Sequence, residues 1–149
     1  MKKLIISAIL LVGLCSHDLY FKTDSYYLKT NQNSEVYIYN GTFDKSENTI
    51  TRDRMITSSI VGPDYKFEAK ESDWYDKGNA THLKFKTGKS GTYLAGVSTK
   101  ARVIELSADD FNSYLAHDGV VNVLEERKKS GKDKNSARES YAKSAKVLL

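Results

Sequence analysis

The chain is short of most of the residues that usually announce chemistry. Of 149 residues, one is cysteine, Cys15, and three are histidine, at 17, 82 and 117. A single cysteine near the start excludes an internal disulfide, zinc-ligand spacing and thiol chemistry anywhere downstream. Nine glycines are scattered, mostly at turns, and make no phosphate-cradling loop. No G-x-S-x-G and no H-E-x-x-H occurs. The acidic pairs Asp109-Asp110 and Glu125-Glu126 are adjacent in sequence. Neighbouring carboxylates on a helix point apart, so they read as surface charge, and nothing here argues for an enzyme. Strong charge is also missing. The formal +4 includes Lys2 and Lys3, and about +2 on the remainder is too weak to argue for nucleic acid.

The longest apolar run, Leu4–Leu14, is 11 residues. A bilayer span needs about 20. Behind Lys2 and Lys3 the run fits a secretory signal peptide over residues 1–16, leaving 17–149 as about one domain. The cut is open: after Ser16, after Cys15 or after Leu14. Cys15 is also a candidate lipid anchor, although Leu14 stands where a lipobox has a small residue. The expected location is the periplasm or another exported compartment, with the membrane reached only through such an anchor or through a segment beyond residue 149.

The middle of the chain alternates with period two. In SEVYIYNGTF, Val36 and Ile38 face one way and Glu35, Tyr37 and Tyr39 the other, with Asn40-Gly41 as a turn signal. In THLKFKTG, Leu83 and Phe85 go inward and His82, Lys84 and Lys86 outward. Residues 18–22, 26–29, 49–61 and 65–69 also read as strands, Gly62-Pro63-Asp64 separates the last two, and TYLAGVSTKARVIEL supplies one or two more. Six to eight short strands over residues 17–106 predict an antiparallel β-sandwich. At Ser107 the pattern changes. Ser107 and Asp110 form a weaker capping box, and Phe111, Tyr114 and Leu115 share a helix face. Val120–Lys129 reads as a second helix, with Val120, Val123 and Leu124 on one face. SARESYAKSAKVLL reads as a third, capped by Ser136 and Glu139, with Tyr141, Ala145 and Leu148 together. The fold expected is mainly β: a sandwich followed by two or three C-terminal α-helices over 107–149. Ending on Val147-Leu148-Leu149, inside an apolar helical run, suggests a truncated chain.

His17 is the most informative of the possible ligands. A cut after Ser16 makes it N-terminal, and its amine and Nδ1 then chelate one metal ion, with Asp18 adding an oxygen. Cuts after Cys15 or Leu14 place it second or third. His82 reads as a solvated histidine on an outward strand face, and His117 as a cation at a helix C-terminus; metal ligation is the alternative for each. The ten tyrosines, most of them in the β part beside Trp74, are good sheet formers. Exposed, they would stack on sugars or hold a partner.

HDLYFKTDSYYLK, directly behind the signal peptide, resembles the start of a bacterial exported family of unknown function grouped with periplasmic components of cobalt and nickel ABC-type uptake systems. His17, Asp18 and Leu19 match; Tyr20 stands where the family usually has Trp. The stretch from Phe111 to Lys146 is similar to the family's second block, through Phe111, Tyr114, Leu115, Gly119, Arg127, Arg138, Glu139, Tyr141, Lys143 and Lys146. The resemblance implies an immunoglobulin-like domain in the periplasm, a second β-domain beyond it, and a partner in a membrane transporter complex. The leading expectation is a non-catalytic accessory protein that binds cobalt or nickel, with copper as a further candidate ion, through His17. The alternative is a β-sandwich module that binds glycan or a surface partner through tyrosines or Trp74. An oxidative copper enzyme would require His82 or His117 to fold back to His17.

Overall fold

The structure is a computed structural model describing residues 18–42 and 44–149. It is mainly β, with antiparallel sheets. One sheet has the order β1 (Asp18–Lys22), β2 (Asn33–Thr42), β7 (Ala80–Lys86), β6 (Trp74–Lys77), with the two-residue β3 (Lys45–Ser46) also on β2. The other runs β11 (Ser144–Leu148), β8 (Leu94–Thr99), β4 (Met55–Gly62), β5 (Tyr65–Glu68). Alternation decides which side chains meet between them. Phe21, Val36, Ile38, Leu83 and Phe85 from the first sheet share one buried cluster with Ile60, Ala95 and Val97 from the second. Trp74 belongs to this cluster at 9% exposure, with the Arg52 guanidinium 5.6 Å from its ring centre.

Several expectations are corrected. Residues 26–29 form no strand; they belong to a loop. Strand β4 begins only at Met55, after a 3-10 turn over Arg52–Arg54. Asn40-Gly41 is not a turn, because β2 continues through both to Thr42. The largest correction concerns residues 136–149. They form no helix but two strands, β10 (Ala137–Tyr141) and β11. Ser136 and Glu139 make no capping box there, and Tyr114 Oη instead donates to Glu139 Oε1 at 3.2 Å. The segment fits both periods. Ala145, Val147 and Leu149 alternate as well as Tyr141, Ala145 and Leu148 fall on a helix face. The free edge of β8 decides for the strand, since pairing with it seats Ala145, Val147 and Leu149 against the main core.

The two other helices form, late in the chain but between strands. Helix α1 (Ala108–His117) and helix α2 (Val121–Lys129) lie between β9 (Arg102–Leu106) and β10, which pair with each other. Ser107 caps α1 as expected, accepting from Asp110 N at 3.2 Å. Phe111, Leu115 and Leu124 make a small separate core, with Tyr114 and Val120 packed on it. Val123 is partly exposed and stays outside that core. Arg127 ties the knob together: it donates to Asn112 Oδ1 and to the carbonyls of Lys132 and Asn135, and stands 4.8 Å from the Phe111 ring. The partners β8–β11 and β9–β10 form one long antiparallel ribbon, interrupted at residues 100–101 and 142–143 and tipped by this helical knob. At the interruption Thr99 and Lys143 are joined by backbone and side-chain hydrogen bonds.

Candidate functional site

The loop over residues 23–32 connects β1 to β2 and is held by the buried Thr87. Its hydroxyl donates to the Lys29 carbonyl at 2.6 Å and accepts from Gln32 N at 2.9 Å. Thr87 N donates to the Gln32 carbonyl, and Asn31 N to that of Gly88. Asn31 takes a left-handed conformation, φ 54°, which asparagine tolerates better than most residues. A loop pinned at its base in this way presents its crest without collapsing it. Tyr27 on that crest is 94% exposed and Tyr26 52%.

Depressions lie on both sides of the loop. The larger, about 800 Å³, has an apolar floor of Leu28, Phe67 and Phe85 and a polar rim that includes Asp24, Asn33, Glu35, Asp73, Lys84 and Lys86. The smaller, about 390 Å³, is lined by Tyr26 and Tyr27 on one side and by the 89–93 segment and Leu149 on the other.

Beside the larger groove the outer face of the first sheet carries a row of rings. Register places Tyr37 opposite His82 and His82 opposite Tyr75. The imidazole lies between the two phenol rings, 4.5 Å from Tyr37 and 4.8 Å from Tyr75 by centroids. His82 is therefore not solvated. It points outward as alternation requires, yet is only 8% exposed because cross-strand neighbours cover it. Its Nδ1 sits 3.4 Å from Glu35 Oε1, within ion-pair distance but without a hydrogen bond, and both atoms are buried. Tyr37 Oη donates to Asp24 Oδ2 at 2.6 Å. That bond to a carboxylate, followed by desolvation, raises the Tyr37 pKa well above the ordinary phenol value. The Glu35 carboxylate raises that of Tyr75 in the same way. Lys84 Nζ stands 4.3 Å from the centre of the Tyr75 ring. A second pair, Tyr20 and Tyr39, lies 5.6 Å apart further along the face, with Lys22 over both rings.

The expected metal ligands fare differently. His17 lies outside the described residues. Asp18 is exposed at the start of β1, opposite Gly41. His82 is two strands away and four register steps along, roughly 16 Å by strand geometry. His117 is exposed at the end of α1, with Nδ1 3.3 Å from Asp118 Oδ1. The fold brings none of these three together. Among the described residues no group of three or more His, Cys, Asp or Glu is placed to hold a metal ion.

The groove itself was not foreseen. Its outward residues Glu35, Tyr37 and Lys84 are visible in the alternation, but the register that sets them beside Tyr75 and Asp24 is not. Against protein-family models, curated proteins and solved structures, the chain matches none.

Proposed function

We propose that this chain is an exported, non-catalytic binding module of immunoglobulin-like type that holds a saccharide in the groove beside the Tyr37–His82–Tyr75 row. The observation that carries the reading is the groove itself: about 800 Å³ with an apolar floor and a rim mixing amide, carboxylate and ammonium groups. Sugars present apolar ring faces and a periphery of hydroxyls, and bind where apolar surface meets a few placed polar groups. The direct test is calorimetric titration with neutral, amino-sugar and uronic-acid oligosaccharides, repeated on Lys84→Gln and Asn33→Ala. Loss of about tenfold in affinity in either variant supports the groove, since a hydrogen bond to a charged group contributes roughly 1.5–3 kcal/mol. Binding unchanged in both, or no binding of any sugar at millimolar concentration, rejects it.

A second reading has its own support. Asp18 is exposed at the very start of β1, directly after His17, and these residues belong to the first of the two blocks that resemble the cobalt and nickel uptake family. In that reading the processed chain binds a transition metal through His17 and passes it to a membrane transporter. Titration of processed protein with Co²⁺, Ni²⁺ and Cu²⁺, the N-terminus read by intact mass, tests it. Unchanged affinity in His17→Ala would sink it.

A further inference from the structure

Exposed apolar side chains are ordinary one at a time and informative when they gather. On the outer face of the second sheet, Leu148, Leu94 and Val61 stand in one cross-strand row, each opposite the next, with Lys66 completing it. Their exposures are 63%, 41% and 45%. The row lies one residue along β11 and β8 from Leu149 and Tyr93, which line the smaller depression together with Tyr26 and Tyr27. Five of the large exposed apolar side chains therefore collect at one end of the fold, across the 23–32 loop from the larger groove.

The charges around them have one excess sign. Lys29, Lys66, Lys89 and Lys146 surround the end; the acids are Asp64, 3.1 Å from Lys89, and Glu68, 2.6 Å from Lys66. Lys29 and Lys146 make no ion pair among the described residues, so the lysine side chains here outnumber the acidic ones four to two. The end is also firmly built. Asp64 takes a left-handed turn conformation, φ 50°. At Gly91, φ 147°, a Cβ would stand 2.3 Å from the Pro63 ring, so glycine is what lets the 88–92 segment close onto the β4–β5 turn.

We infer that this end of the fold docks on an anionic phospholipid surface, with Tyr26 and Tyr27 at headgroup level, the Leu148–Leu94–Val61 row against the acyl boundary, and the lysines on headgroup phosphates. Tyrosine favours the interface because one end of the ring is apolar and the other wet. Juxtaposed lysines add attraction to an anionic leaflet that salt weakens. A second copy of the chain fits less well. A two-fold pairing would set this lysine-rich end against itself, like charge facing like, whereas an anionic leaflet is complementary to it. No helix among the described residues is long and apolar enough to cross a membrane, and the contact inferred here is a surface one.

Co-sedimentation of the exported, processed protein with phosphatidylcholine vesicles, with and without phosphatidylglycerol, tests this. Wild type and variants share one N-terminus, so differences between them report this end alone. The expected result is binding to the anionic vesicles only, weakened by salt. It should fall about tenfold or more in Tyr26→Ser/Tyr27→Ser and in Lys29→Glu/Lys146→Glu. All four side chains are exposed, and melting curves will show that the variants stay folded. Absence of binding to anionic vesicles, or binding that both variants retain, overturns the proposal. So does a dimer in sedimentation equilibrium that Leu148→Ser dissolves while vesicles do not bind.

Discussion

Replacing Thr87 with valine keeps the shape of a buried side chain and removes one hydroxyl. That hydroxyl serves two backbone groups of the 23–32 loop, the Lys29 carbonyl at 2.6 Å and Gln32 N at 2.9 Å. Each hydrogen bond contributes about 1 kcal/mol net, and each buried group left without a partner costs about 1–3 kcal/mol. One of the two orphaned groups will reach water when the loop shifts, which brings the expected loss to roughly 2–3 kcal/mol. For a domain of this size that lowers Tm by about 6–15 °C. Thr87→Ser keeps the hydroxyl and deletes one methyl, so it should cost only about 1 kcal/mol. Urea denaturation of the three proteins gives the free energies, and hydrogen exchange at Asn31 and Gln32 shows whether the loop base has opened. A valine variant within 0.5 kcal/mol of wild type, or equal losses for serine and valine, would refute the argument that the hydroxyl anchors the loop.

Three further outcomes are expected. Val147→Ala should cost about 1–2.5 kcal/mol and Leu148→Ala less than about 0.5 kcal/mol, because β11 turns Val147 to the core and Leu148 to solvent; the reverse order in urea melts would restore the helix. Leu124→Ala should remove hydrogen-exchange protection from α1 and α2 and leave β2, β7 and β8 protected, since the knob's core shares no residue with the main one; uniform loss would contradict this. Burial, and then the bond to Glu139, push the Tyr114 pKa up to about 12. A phenol whose folded pKa lies above its unfolded value of about 10 adds stability that is complete below pH 10 and lost as pH climbs towards 12. Tyr114→Phe should flatten that stretch of the stability curve, and an unchanged slope would show that Tyr114 does not set it.

The strand content of residues 18–106 was legible because alternation is a local property. Val36 and Ile38, Leu83 and Phe85 can be assigned to one face without knowing what they meet. Register is not local, and it buried His82 by setting Tyr37 and Tyr75 opposite it. Where a segment satisfies two periods at once, as residues 136–149 do, only the partner decides, and β8 is 46 residues away in sequence at the Ser98–Ser144 pair. The 26–29 stretch failed for another reason: Tyr26 and Tyr27 have strand propensity, but no edge faces them, and side-chain bonds from Ser25 and Thr87 give the backbone somewhere else to go.

The helical knob also shortens the loop that the last strand pairing has to close. Bringing Ser144 to Ser98 through an unstructured loop of that length costs about 3.4 kcal/mol of chain entropy before any contact is gained. Helices α1 and α2 are joined by a tight turn, and β9 and β10 pair directly beside them. Once those local contacts exist, β11 is already aligned with β8, with only residues 100–101 and 142–143 left to bridge. A closure that starts at this tip would complete the second sheet as a zipper, and its rate would then depend on side chains such as Phe111 and Leu124, which belong to a core separate from the main one.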